Sequence, residues 1–356
     1  MLARETAEAA LRAAITACDP APRVLRRLAT ARAPHGTHRP GDVPRIYGLA
    51  IGKAALAMAR GVPQVARGIA IAPVDDGRLL PAGWRLILGS HPEPDARSLA
   101  AGDAAVALVD EVGEADLLIA LISGGASALC ERPTVPLAEL RARIAALVAA
   151  GAPIAEVNAA RTALSELKGG KLAARCRGHV LTLIASDVVG DDPHTIGSGP
   201  TVGRPTDAVE VIAPMRSFAE ALAAELGIPV LDPPITGDVD AVAARLAATP
   251  PPFVAWGEPT LVLPAQHGRG GRAQHLALLL ARALQGTLWS ALVAASDGVD
   301  GPPPTAAGAF VDGSTWARLS DPATALATCD SAVALHREVV HTGPTGINHG
   351  DVVVIA

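Results

Sequence analysis

Aromatic residues are nearly absent. Phe, Trp and Tyr make up 2% of the 356 residues, so the core must be built from Ala, Val, Leu and Ile. No stretch approaches the roughly 20 consecutive apolar residues of a membrane-spanning helix. Four cysteines, Cys18, Cys130, Cys176 and Cys329, lie far apart without a Cys-x-x-Cys pair. That spacing excludes a disulfide framework or a zinc site and suits reduced thiols in a cytosol. The histidines form no His-x-His or His-x-x-x-His pair, so no catalytic metal held by histidine is expected. Basic residues are not interleaved with aromatics and the net charge is −5, which argues against a nucleic-acid partner. The N-terminal segment carries Arg4, Glu5, Glu8 and Arg12 and lacks the apolar stretch of a signal peptide. A soluble, cytoplasmic protein acting on a small molecule is expected. Lysine is also scarce: of 30 basic residues only Lys53, Lys168 and Lys171 are lysines.

Half of the residues are hydrophobic, and 35 Gly and 30 Pro punctuate them. This composition excludes disorder and gives enough length for two domains. Apolar runs at Arg45–Ile51, Gly68–Ala72, Arg85–Leu88, Asp116–Ile122 and His179–Ala185 read as buried parallel strands. Helices are expected between them over Lys53–Arg60, Ala96–Val112, Leu137–Ala150 and Ala155–Arg175, an alternation that predicts an α/β sheet. The pattern loosens after residue 200 and resumes with strands at Val254–Ala255, Thr260–Leu263, Leu292–Ala295, Ala309–Val311 and Val352–Ile355. These surround a helix at Ala273–Leu284 and suggest a mixed sheet. The expected division is a parallel-sheet domain over 1–205 and a smaller mixed α/β domain over 206–356.

Polar and glycine clusters fall where the first-half strands end, the edge at which open parallel sheets bind ligands. Gly48-Leu-Ala-Ile-Gly52-Lys53-Ala54 offers backbone N–H groups and a point charge to an anion, although it matches neither the P-loop nor Gly-x-Gly-x-x-Gly. Ser123-Gly124-Gly125-Ala126-Ser127 is a second anion cradle. Asn158, Arg161 and Ser165, at helical spacing, can point donors at an anionic ligand, and Lys168-Gly169-Gly170-Lys171 would put two glycines inside a helix at a cost of about 1 kcal/mol each. Asp187, directly after a strand, suits Mg²⁺ or a proton. Farther on, Gly268-Arg269-Gly270-Gly271-Arg272 is a basic loop before a helix, and Ser296-Asp297-Gly298-Val299-Asp300-Gly301-Pro302 carries two carboxylates in a turn. Anion cradles, cations and strand-end carboxylates together suit phosphoryl transfer.

These strings resemble the two-domain type II glycerate 2-kinases, whose C-terminal half is called the MOFRL domain. GKAALAM, SHPEPD, LISGGASAL, NAARTALSELKGGKLA, SDVVGDDPHTIGSGPTV, GEPTLVL, GRGGRAQHLAL, SDGVDGP and TGPTGIN occur in order along nearly the whole chain. The resemblance implies a Rossmann-like first domain, a mixed α/β second domain and an active site in the cleft between them. It implies transfer of the γ-phosphoryl group of ATP, with Mg²⁺, to the 2-hydroxyl of D-glycerate. The catalytic Lys falls on Lys53 and the catalytic Arg on Arg272. Asp187 becomes a catalytic base or Mg²⁺ ligand, and Asp297 a second Mg²⁺ ligand. Ser123, Gly124, Gly125, Ser127, Asn158, Arg161 and Lys171 are expected to hold substrate or phosphate oxygens, and a homodimer is expected. The chain departs from the family pattern at Ala273 and His275, where Asn and Glu are usual beside the catalytic Arg, and at Thr305. An NAD(P)-dependent hydroxypyruvate reductase and a non-catalytic relative that binds a hydroxy-acid or nucleotide are the alternative readings.

Overall fold

The computed structural model describes residues 2–30, 44–151, 154–301 and 306–356. Two compact units form, one of Asp19–Pro214 and the other of Met1–Cys18 with Met215–Ala356.

The first unit is built on β1 (Ile46–Ile51), β2 (Arg67–Ala72), β3 (Trp84–Leu88), β4 (Leu117–Ser123), β5 (His179–Ala185) and β6 (Ala208–Ala213). All pairs are parallel and the order is β3-β2-β1-β4-β5-β6, that of a doubly wound dinucleotide-type sheet. Because side chains alternate along a strand, each apolar run feeds two cores. Leu49, Ile51, Leu118, Ala120 and Ile122 pack with Ala101, Ala105 and Leu108 of the helix Ala96–Asp110. Ala50, Ile119, Leu121 and Leu183 pack on the opposite side with Val24, Ala55 and Met58. Burial of each large aliphatic side chain contributes about 1.5–3 kcal/mol.

The second unit holds β7 (Ile235–Asp238), β8 (Phe253–Thr260), β9 (Ser290–Ala295), β10 (Gly308–Asp312), β11 (Val339–Val340) and β12 (Asp351–Ile355), ordered β11-β10-β9-β12-β8-β7. Only β7 and β8 pair in parallel, so the sheet is mixed. Ala255, Val293, Val311 and Val353 face the helices Val239–Ala248 and Arg272–Ala283. Val254, Leu292, Phe310 and Val354 face the helices Arg4–Ala17 and Ser217–Leu226.

Several boundaries differ from the sequence expectation. The helix Arg4–Ala17 presents Ala7, Leu11 and Ala14 to the second unit, although it opens the chain. β6 belongs to the first sheet, so the first unit runs to Pro214 rather than to 205. Neither β6 nor β7 is expected from the sequence. Thr260–Leu263 is not a strand of its own, because β8 runs continuously from Phe253 to Thr260. The helix expected over Ala155–Arg175 is two helices, Ile154–Ala163 and Lys171–Arg175. Gly169 (φ +64°) and Gly170 (φ +79°) supply a left-handed turn between them, so the glycines sit outside helical backbone and the expected helix penalty does not arise.

Candidate active site

In the first sheet, β1 connects toward β2 and β3 on one side while β4 to β6 lie on the other, which makes the β1/β4 junction the topological switch point. The loops leaving those two strands meet there. Lys53 N–H donates to the Gly124 carbonyl at 2.9 Å, and Ala54 N–H donates to Ser123 Oγ at 3.0 Å. Gly52 adopts φ +132°, and a Cβ on it would lie 2.1 Å from Ser123 Oγ, so only glycine fits this approach. A Cβ on Gly125 would lie 3.4 Å from Lys53 Cγ and 3.0 Å from His91 Cδ2, which places the Lys53 stem and His91 against this loop. Lys53, Gly125 and Ser127 are half-buried, whereas Ser123 and Gly124 are buried. Ser123 thus holds the Lys53 turn in place. Asp187, half-buried, follows β5, whose Ala185 pairs with Ser123, so it shares the same sheet edge. The neighbouring Asp192 accepts from His194 N–H and Thr195 Oγ1 and serves its own turn.

The helix Ile154–Ala163 carries Asn158 and Arg161, with Arg161 Nη1 donating to Asn158 Oδ1 at 3.3 Å. Ser165 does not share that helix face, since it lies beyond the helix end in a bridge with Pro133. Its hydroxyl donates to Glu131 Oε1 at 2.6 Å, and Lys168 Nζ binds Glu131 Oε2. Glu131 and Lys168 are each 1% exposed. Burial pushes the Lys168 ammonium below the usual lysine range, against the opposing pull of Glu131. Burial also lowers Arg161, again opposed by the Glu131 charge, so one carboxylate serves both cations. Lys171, expected to bind phosphate, donates to the carbonyls of Thr162 (2.7 Å) and Ser165 (2.6 Å). Its ammonium ties down the end of the helix, where the carbonyls lack intrahelical partners. Glu131 was missed by sequence reading. Its only signal is an acidic residue soon after an apolar strand and a short turn.

In the second unit β12 runs antiparallel to both β8 and β9, with Asp351 paired to Gly257 and to Ala295. The start of β12 and the ends of β8 and β9 therefore coincide. Asp351 grips Arg272 with a fork, Nε to Oδ2 at 2.5 Å and Nη2 to Oδ1 at 3.2 Å, and Glu258 Oε1 accepts from Nη1 at 2.6 Å. Three of the five guanidinium N–H donors are used, which leaves two for an anion. Burial would lower the Arg272 pKa, but Asp351 and Glu258 outweigh it and raise the group above its ordinary value. Burial pushes Asp351 up against the opposing Arg272 charge, and Glu258 and Asp297 push it the same way. Asp297 is half-buried, and its Oδ1 accepts from Val299 N–H at 3.0 Å.

Asp300 caps the helix Arg272–Ala283 from outside it, accepting from Ala273 N–H (2.9 Å), Gln274 N–H (2.7 Å) and Gln274 Nε2 (3.0 Å). Burial pushes its carboxyl up to about 6 despite these donors. Asp351 and Glu258 were missed as site residues, although Glu258 stands in a quoted motif. The two departures in the helix have different surroundings from those expected. Ala273 is buried, and the charges that reach buried His275 are Asp240, Asp238 and Arg282 rather than the Arg272 cluster. Burial lowers the His275 imidazole below its ordinary value. Thr305 lies outside the described residues. Among the described residues no group of three or more His, Cys, Asp or Glu could hold a metal, and no helix is long and apolar enough to cross a membrane.

A doubly wound parallel sheet with polar glycine loops at its switch point, and a mixed sheet presenting an arginine among carboxylates, define a two-unit α/β protein of the ligand-binding kind. Residues 6–225 match the family described as a domain of unknown function (DUF4147), and residues 252–351 match the MOFRL family. A "Glycerate 2-kinase" of Pyrococcus horikoshii is 31% identical over 87% of this chain and 87% of its own length. A protein of Agrobacterium vitis named "Putative hydroxypyruvate reductase" is 35% identical over 98% of this chain and 93% of its own. The crystal structure of a glycerate kinase from Thermotoga maritima superposes with a TM-score of 0.82 at 26% identity, covering 99% of this chain and 98% of that one. The chain belongs to the glycerate kinase family that carries a MOFRL domain.

Proposed function

We propose that this protein is a glycerate 2-kinase that transfers the γ-phosphoryl group of ATP to the 2-hydroxyl of D-glycerate, giving 2-phosphoglycerate and ADP. The observation that carries the reading is Lys53 at the β1/β4 switch point, its backbone N–H bonded to the Gly124 carbonyl within the second glycine loop. The hydroxyl oxygen attacks the γ-phosphorus, the bond from that phosphorus to the ADP oxygen breaks, and the hydroxyl proton leaves. Lys53 and Arg272 neutralise the transferring group, which spreads charge over its oxygens. Gly124, Gly125, Ser127, Asn158 and Arg161 hold anionic oxygens, while Ser123 fixes the loop that presents them. Asp187 takes the proton or, like Asp297, would serve as a ligand to Mg²⁺.

These carboxylates are hard oxygen donors and both are half-buried at strand ends, which suits Mg²⁺, an ion that uses one or two carboxylates and keeps several waters. When bound, Mg²⁺ neutralises phosphate charge. A cytoplasmic location and a homodimer belong to the same reading. Lys53→Ala should abolish ADP release on D-glycerate while leaving the far-ultraviolet circular dichroism unchanged. An active Lys53→Ala enzyme would remove the assignment.

A second reading, an NAD(P)-dependent hydroxypyruvate reductase, draws on the dinucleotide-type strand order and on the name of the Agrobacterium relative. The β1 turn lacks the Gly-x-Gly-x-x-Gly that lets a pyrophosphate approach the backbone, which favours the kinase. Oxidation of NADH with hydroxypyruvate, without ADP release from ATP and D-glycerate, would reverse the preference.

A further inference from the structure

Gly197, Ser198 and Gly199 form a left-handed turn between β5 and β6, with φ of +59°, +61° and +54°. Glycine adopts this region without a Cβ penalty, and it stands on both sides of Ser198. The other non-glycine residues found there among the described residues have local reasons for it. Asp191 and Asp321 are of a type that tolerates the region, and Cys329 follows a helix end, where a left-handed residue is usual. Ser198 has neither reason.

The turn is clamped between two loops of the first unit. The Ser198 and Gly199 carbonyls accept from Gly169 N–H (2.9 Å) and Gly170 N–H (2.8 Å). A Cβ on Gly197 would lie 2.8 Å from Ala126 Cβ, so the turn rests against Ser123-Gly124-Gly125-Ala126-Ser127. The helix Ile154–Ala163, which carries Asn158 and Arg161, packs on it as well. Ser198 is 5% exposed. Among the described residues no group donates to its hydroxyl or accepts from it, and the oxygen is not sealed from solvent. A strained residue whose side chain bonds nothing in the chain adds no stability that glycine would lack. The hydroxyl therefore calls for a partner from outside.

We propose that Ser198 is a substrate-binding residue, its hydroxyl donating to an anionic oxygen held between Arg161 and the 123–127 loop. The inference rests on the kinase reading for the identity of that anion, which is the carboxylate of D-glycerate or a phosphate of ATP. Ser198 carries no charge, so its loss weakens the hold on the anion without altering the charge of the site.

The test compares the full chain with Ser198→Gly and Ser198→Ala. Ser198→Gly relieves the left-handed strain, so its Tm should equal or exceed the wild-type value, whereas Ser198→Ala keeps the Cβ and loses only the hydroxyl. In coupled ADP assays both variants should raise KM about tenfold or more, the loss expected for a hydrogen bond to a charged group, with kcat changing less. A raised KM for D-glycerate assigns the hydroxyl to the carboxylate, and a raised KM for ATP assigns it to a phosphate. KM values unchanged for both substrates in the two variants overturn the proposal. A lower Tm in Ser198→Gly makes the serine structural and overturns it as well. If the wild type releases no ADP, the kinase reading falls, and the Tm gain from about 10 mM D-glycerate, hydroxypyruvate or ATP decides instead. A gain that both variants lose upholds the role of Ser198; an equal gain in all three proteins, or none in any, overturns it.

Discussion

Replacing Lys168 by Met should destabilise the first unit far more than replacing a surface lysine. Lys168 and Glu131 are both 1% exposed and bonded to each other, with Ser165 Oγ on the second carboxylate oxygen at 2.6 Å. The pair closes a local knot, because Thr134 N–H reaches the Leu164 carbonyl and Glu166 N–H reaches the Arg132 carbonyl on either side of it. Removing the ammonium leaves a buried carboxylate with only the Ser165 hydroxyl and the Arg132 N–H as donors, a loss of about 3–5 kcal/mol. At a urea m-value of about 2 kcal/mol/M this lowers the unfolding midpoint by roughly 2 M. Glu131→Leu alone strands the ammonium and should cost a similar amount. The double variant Lys168→Met/Glu131→Leu removes both charges and leaves Ser165 Oγ and Arg132 N–H without the acceptor they share, so it should lose about 1–3 kcal/mol. Its loss should therefore fall well below the sum of the two single losses. A midpoint change below about 0.5 M for Lys168→Met, or a double variant as unstable as the sum, would refute the reasoning.

Asp300 holds its proton up to about pH 6 when folded against 3.8 ordinarily, so the native state binds more protons than the unfolded chain across that window. Stability should fall as pH rises from about 4 to about 6, by roughly 3 kcal/mol, and Asp300→Asn should flatten that slope in urea titrations at several pH values. Gly170→Ala forces a Cβ to 2.4 Å from the Val202 carbonyl oxygen at φ +79°, and should cost about 2 kcal/mol or more, read as a fall in Tm. Asp351→Asn loosens the fork on Arg272, so kcat for D-glycerate phosphorylation should drop about 10²-fold while KM moves less, the mark of a positioning residue.

The first sheet was legible because its strands are apolar on both faces and end at glycine and polar clusters, so pattern alone found β1 to β5 and their functional edge. β6 escaped because Ala208–Ala213 lies at the sheet margin with a charged Glu210 in the middle, and its run is only partly buried. The helix Arg4–Ala17 is not among the helices expected from the sequence, and an apolar stripe of Ala and Leu does not name the surface that will cover it. Gly48 shows how the same residue type can mislead. It reads as the first glycine of an anion loop, yet it sits within β1, where the Trp84 ring occupies the place a Cβ would take, 2.3 Å away.

The scarcity of lysine carries the same lesson. All three lysines stand beside glycines, which suggests one shared task at an anion site, but the folded chain gives them three. Lys53 remains at the switch point, Lys168 is neutralised in the interior by Glu131, and Lys171 binds two carbonyls at a helix end. What separates these roles is the partner supplied from elsewhere in the chain: Glu131 lies 37 residues from Lys168, and Asp351 lies 79 from Arg272. Local spacing can nominate a cation for chemistry, but whether its charge is still available for a ligand depends on carboxylates and carbonyls that only the tertiary fold brings to it. By that measure the two N–H donors that Asp351 and Glu258 leave on Arg272 are the ones on which the proposed phosphoryl transfer turns.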